Sequence, residues 1–177
     1  MTLQAAVAFP VAFERVVGHE GKYQDNRKDR GNWTTGVVGQ GELKGTKYGI
    51  SAMAYPDLDI KNLTLEQAKA IYRRDFWDRA QMGQLPAAVV FQLFDMGINH
   101  GFGNTIRMLQ RAAGVLDDGR VGPISLAALA KMELNDLIMR LAAQRLRFIA
   151  QISTFDEFGR GWVNRVAGNL EYAAEDN

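Results

Sequence analysis

Glu20 and Asp29 stand nine residues apart and are the first side chains whose types and setting could do chemistry together. An amphipathic stretch runs up to Glu20, and Gly18 and Gly21 flank that acid, so it stands at a helix end where the chain turns. Asp29 follows in a loop that contains Gly31. Two carboxylates presented by different local structures suit hydrolysis of a glycosidic bond. A neutral one protonates the leaving oxygen, and an ionised one activates water or stabilises the developing cation. Spacing alone does not separate this reading from an ordinary one, in which Glu20 is a helix-end surface acid.

The residues around these groups fall into three ordered blocks: Glu20-Gly21-Lys22-Tyr23, Asp29-Arg30-Gly31-Asn32 and Thr46-Lys47-Tyr48-Gly49-Ile50-Ser51. Together they resemble the signature blocks of glycoside hydrolase family 108, lysozyme-like N-acetylmuramidases found mostly as phage endolysins. Lys22 replaces the second glycine of the first block, and Asn32 replaces a glycine of the second. The third block matches fully. The resemblance implies Glu20 as general acid, Asp29 as its partner and Thr46 as the third catalytic residue. The spacing Glu20, Asp29, Thr35 is also similar to that of the T-even phage lysozymes, which leaves Thr35 as the alternative to Thr46. An acid that must stay protonated near neutral pH needs an apolar surrounding, which Phe13, Val16 and Val17 would help supply. A water held between the carboxylates would need a separation of roughly 6.5–9.5 Å and give inversion, whereas about 5 Å would give retention. Tyr23 and Tyr48, inside the blocks, are expected to touch the sugar chain unless they are core residues.

Composition narrows the classes. A chain of 177 residues with 47% hydrophobic content supports one domain, or a lysozyme-sized body with two lobes. A net charge of +1 gives no reason to expect nucleic acid as a partner. With no cysteine and only His19 and His100, a catalytic zinc would depend heavily on carboxylates, which argues against a zinc amidase or peptidase. No metal or cofactor is expected. The apolar start, Leu3 to Phe13, is too short to span a bilayer and lacks a basic leader, so no signal peptide or membrane anchor is expected.

The elements that must position these groups read as mainly α, a lysozyme-like α+β fold of seven or eight helices with one small β-hairpin beside the catalytic cleft. Phe9, Ala12, Phe13, Val16 and Val17 recur at helical spacing, with Pro10 expected in the first turn. Five glycines (31, 36, 39, 41 and 45) punctuate the next stretch, and 31–47 reads as a β insertion forming a short hairpin. Trp33 within it would either stack on a sugar face or pack against the hairpin. Thr64-Leu65-Glu66-Gln67 has capping-box form. Further helices follow Pro86, run from Thr105 to Ala113, begin at Pro123, and span 135–152 and 160–172.

The downstream blocks Leu93 to Gly101, Leu109 to Ala112 and Asp118 to Pro123 are similar to the peptidoglycan-binding segment that follows the catalytic segment in this family. We therefore expect a catalytic segment at 1–97 and a helical segment at 98–177 that forms the second lobe of one compact domain. Asp95 and Asn99 lie four apart on one helix face and are expected either to line the cleft and contact substrate or to brace the glycine turn beside them. Arg145 falls on the apolar stripe of its helix and should pair with a buried or cleft carboxylate, Glu20 or Asp95. The same helix carries Arg140 and Arg147, a pattern that suits either a solvated face or transient outer-membrane contact.

These readings imply a monomeric endolysin acting on bacterial peptidoglycan. It would stay in the host cytoplasm until a holin lesion releases it to the wall, and it would cut the β-1,4 bond between N-acetylmuramic acid and N-acetylglucosamine. A lytic transglycosylase and a non-catalytic wall-binding protein are the alternatives.

Overall fold

The computed structural model describes residues 5–17, 22–78 and 81–176. Seven α-helices and a two-stranded antiparallel sheet appear among them. They run α1 (Ala5–Val17), β1 (Thr46–Lys47), β2 (Ile50–Ser51), α2 (Leu65–Tyr72), α3 (Ala87–His100), α4 (Phe102–Ala112), α5 (Pro123–Leu129), α6 (Leu134–Ala150) and α7 (Phe155–Glu175). The mainly α, α+β lysozyme-like class expected from the sequence is the one observed. No helix among the described residues is long and apolar enough to cross a membrane.

The chain divides into two compact units, Phe13–Asp75 and Met1–Ala12 with Phe76–Asn177. The boundary expected near residue 97 falls within α3, all of which lies in the second unit.

The Phe13–Asp75 unit is built largely from turns. Its small core gathers Phe13, Val17, Ile50, Ile60, Leu63, Ala68 and Tyr72, with the Phe13 and Tyr72 rings edge to face at 5.8 Å. The expected capping box is present. The Thr64 hydroxyl accepts from Gln67 N, and the Gln67 side chain accepts from Thr64 N, so two otherwise orphaned amides at the start of α2 are satisfied. After Tyr72 the helix widens into a π-helical stretch, Arg73–Asp78.

The β element lies later than the glycine pattern suggests. Residues 31–45 make one bridge, Trp33 with Leu43, and are otherwise turns, because Gly36, Gly39, Gly41 and Gly45 all have positive φ, which extended strands do not tolerate. The ladder pairs Thr46 with Ser51 and Lys47 with Ile50, across a two-residue turn at Tyr48 and Gly49. Both turn residues have positive φ (52° and 75°), the I′ form whose twist matches the flanking strands. Gly49 is favoured for a second reason: a Cβ there would lie 2.5 Å from the Tyr72 hydroxyl, which donates to the Tyr48 carbonyl and would have to shift.

The other unit is a helical bundle. The middle of α3, Ala88 to Gly97, is buried throughout, and α3 packs on α4, α6 and α7. The Phe9 ring meets Trp77 and Phe94 edge to face. Pro10 lies in the interior of α1, not in its first turn as expected. Proline there removes the hydrogen bond back to the carbonyl four residues earlier, and burial of Phe9 and Ala12 on either side offsets that loss.

Gln110, 1% exposed, organises the turn ahead of α5. Its amide donates to Asp118 Oδ1, Arg120 O and Ser125 Oγ, and its carbonyl accepts from Gly119 N. The Asp118 to Pro123 block is thus a turn held from within, with Pro123 in the first turn of α5 as expected.

Candidate active site

Of the expected catalytic residues, Glu20 lies outside the described residues, as does His19 beside it. Asp29 and Thr46 are both described, both in the Phe13–Asp75 unit, and a single hydrogen-bond network joins them.

Asp29 is the N-cap of a 3₁₀ turn, Arg30–Asn32, and its Oδ1 accepts from Gly31 N at 2.9 Å. Oδ2 accepts from Gln24 Nε2 at 3.2 Å. The same Gln24 nitrogen donates to Asn32 Oδ1, and Asn32 Nδ2 returns a bond to Gln24 Oε1 at 2.8 Å. Thr46 closes the chain: its hydroxyl donates to Asn32 Oδ1 at 2.7 Å. The backbone reinforces this pairing, since Gln24 and Thr46 exchange both N–H and carbonyl bonds at 2.9 and 2.8 Å. Asn32 is the fixed centre. It is 0% exposed, its Nδ2 also reaches Asn26 O, and its carbonyl accepts from Lys44 N and Gly45 N.

The arrangement does two things chemically. It leaves an exposed carboxylate anchored by one donor on each oxygen, with lone pairs facing solvent. It also commits the Thr46 hydroxyl proton to Asn32, so that this oxygen can act toward a further partner only as an acceptor.

Thr34 and Thr35 have other employment. Thr35 Oγ1 donates to Gln40 O and accepts from Val37 N, and Thr34 Oγ1 accepts from Glu42 N, so both hydroxyls hold the glycine-rich turn together.

Gln24 and Asn32 are the members that the sequence reading missed. Asn32 enters that reading only as a departure from a glycine. The available signal was a buried-size polar residue in place of a glycine, beside a motif acid.

The remaining expected site residues are placed as follows. Trp33 is half-buried, and its Nε1 donates to Arg27 O at 2.9 Å, which pins the indole to its own loop. Tyr48 is half-buried at the first turn position, with Lys47 Nζ 5.5 Å from its ring centre. The Tyr23 ring packs where a Cβ on Gly45 would stand. Burial, then the charge and hydrogen bond of Asp25 and the charge of Asp59, raise its phenol above its ordinary pKa.

Asp95 departs from the expectation of a cleft-lining, substrate-contacting residue. It is 1% exposed, and its carboxylate accepts from Arg145 Nη2 at 2.6 Å, Asn169 Nδ2 at 2.6 Å and Arg165 at 2.6 Å. Burial works against the charge, but the hydrogen bonds and charges of the two guanidiniums outweigh it and hold the carboxyl below its usual range. A carboxylate so fully engaged is an internal anchor of the helical unit. It is also the partner that the position of Arg145 on the apolar stripe requires. Asn99 is exposed, and its amide donates back to Asp95 O at 2.8 Å, bracing the end of α3 before Gly101. His100 Nε2 accepts from Arg145 Nε, and burial together with the Arg145 charge lowers the imidazole to about 4.

Known proteins resemble this chain over nearly its whole length. Residues 13–101 match the Glycosyl hydrolase 108 family, and residues 104–167 match the family described as Predicted Peptidoglycan domain. Among solved structures, that of SagA from Brucella abortus is 31% identical, with a TM-score of 0.81 over 96% of this chain and 95% of that one. No curated protein matches the chain.

Proposed function

From the premise that this chain belongs to the Glycosyl hydrolase 108 family and is a peptidoglycan-degrading glycosidase, we propose that it is an N-acetylmuramidase. It hydrolyses the β-1,4 bond between N-acetylmuramic acid and N-acetylglucosamine. The observation that carries this reading is the network joining Asp29 to Thr46 through Gln24 and Asn32. It holds a carboxylate and a hydroxyl acceptor in fixed relation, which suits a water-activating pair and which a transglycosylase would not require.

Glu20 protonates the glycosidic oxygen as the bond to the anomeric carbon breaks. Asp29 and the Thr46 oxygen orient the water whose oxygen forms the new bond, and the water's proton passes to the carboxylate. Trp33 and Tyr48, in the same unit as Asp29, remain candidates for sugar contact. The enzyme works as a monomer and acts as an endolysin, reaching the wall through a holin lesion.

Mass spectrometry of fragments released from purified peptidoglycan by wild type and Glu20→Gln tests the reading. Reducing muramic acid ends, lost in the variant, are expected. Anhydro ends would reassign the protein to the lytic transglycosylases, and no release by wild type would leave a wall-binding protein.

A further inference from the structure

Behind the Gln24–Thr46 bridge lies a groove of about 350 Å³ that the catalytic network does not use. Gln24 and Tyr23 are successive residues of an extended segment, so their side chains leave it on opposite sides. Gln24 enters the network with Asp29, while the Tyr23 ring forms the floor of the groove with Leu43 and Ile60. The rim carries both signs of charge, Lys44 and Lys61 against Asp57 and Asp59.

These four charges are not equivalent. Lys44 Nζ donates to Pro56 O at 2.7 Å and pairs with Glu42 at 3.3 Å. Asp59 accepts from the backbone and side-chain amides of Asn62, which fix its orientation. Among the described residues, no hydrogen bond or ion pair holds the Lys61 ammonium or the Asp57 carboxylate, and both residues are exposed. Asp25 engages the Tyr23 hydroxyl, and the Tyr23 side chain lines the groove.

Peptidoglycan has two chemically distinct parts. The glycan is a run of N-acetylated, uncharged sugars once its lactyl carboxyl is tied into the peptide. The stem peptide carries the free carboxylates and, on its diamino acid, a free amine. A groove with an aromatic floor and an unsatisfied cation and anion on its rim complements the second part.

Building on the proposed function, we infer that the groove of Tyr23, Leu43, Ile60, Asp57, Asp59 and Lys61 is a binding site for the peptidoglycan stem peptide. Lys61 takes a stem carboxylate, and Asp57 with Asp59 takes the diamino acid's ammonium. The glycan is read on the Asp29 side of the bridge and the peptide on the Tyr23 side, so the groove selects peptide-bearing disaccharides.

Two measurements test this with the full chain and an Asp57→Asn/Lys61→Gln double variant, whose changes lie at exposed positions. The first titrates the soluble stem tetrapeptide released by an amidase and follows backbone amide shifts. Shifts clustered at Tyr23, Leu43 and 57–61, with affinity reduced about tenfold or more in the double variant, are expected. Absent shifts, or shifts elsewhere, overturn the site.

The second compares reducing-end release from intact peptidoglycan and from glycan strands stripped of stems. Wild type should prefer the intact polymer, and the double variant should lower that preference about tenfold. An unmoved ratio overturns the inference. If wild type cuts neither polymer, the hydrolase reading fails, and the peptide titration alone decides the groove.

Discussion

The two units hold themselves together by different physics. Phe13–Asp75 has short helix, two-residue strands and a small apolar core, and its loops are fixed by side-chain amides, hydroxyls and backbone groups meeting around a buried asparagine. The helical unit buries the middle of α3 on all sides and ties its helices through a buried polar cluster, Asp95 with Arg145, Arg165 and Asn169. In the first, polar groups shape a surface that faces solvent and can hold water. In the second, they tie helices together and are withdrawn from solvent. A carboxylate's place in one scheme or the other decides what it can do, which is why Asp29 is a chemical candidate and Asp95 is not.

The largest effect should come from breaking the buried cluster. Asp95→Ala leaves Arg145, itself only 2% exposed, without its anion and should cost about 3–5 kcal/mol. Differential scanning calorimetry should show a fall in Tm on the order of 10 °C. A change below a degree would mean that the cluster does not hold the helices. Next comes Asn32→Ala, which removes both side-chain bonds to Gln24 and the acceptor for Thr46. It should destabilise by about 2 kcal/mol, and kcat should fall on the order of a hundredfold through misplacement of Asp29 and Thr46. Stability lost with kcat intact would make the network a brace only.

The helical unit should also show a pH signature. The His100 imidazole is lowered to about 4 in the folded chain, below the ordinary 6.5 that it regains on unfolding. Between those values the unfolded chain binds a proton that the folded one does not, so stability is full above the upper value and declines as pH falls toward the lower one. Urea midpoints of wild type should drop through that window more steeply than those of His100→Gln. Parallel curves would contradict the assignment. The smallest effect is expected from Thr64→Ala, which removes one half of the capping box in the loop-rich unit. A loss of about 1 kcal/mol in urea unfolding, with kcat unchanged, is the expected outcome.

What could be read from the sequence follows the same division. Helices whose stability comes from an apolar stripe announce it by period, and so α2 to α7 lie close to where their patterns place them. Arg145 on such a stripe is legible as a demand for an anion, which Asp95 meets. The capping box is local chemistry and is legible in four residues. Pro10 misleads because tertiary burial of Phe9 and Ala12 overrides a local preference. The hairpin is displaced because glycine-rich composition marks turns and strands alike, and only the positive φ values of 36, 39, 41 and 45 separate them. Asn32 and Gln24 escape notice for a deeper reason. A hydrogen-bond hub is defined by the partners that the fold brings to it, and of its members only Asn32, standing in place of a glycine beside a motif acid, carries a mark in the sequence.

The most direct test of the account is the rate at which Asp29→Asn releases reducing muramic acid ends from purified peptidoglycan, with Tm measured beside it. Asparagine retains an oxygen for Gly31 N, so the fold should persist, while the water loses its base. A loss of kcat on the order of a thousandfold at near-native Tm is predicted. Reducing ends appearing at the wild-type rate would contradict the role given to Asp29 and, with it, the claim that this loop-rich unit activates water.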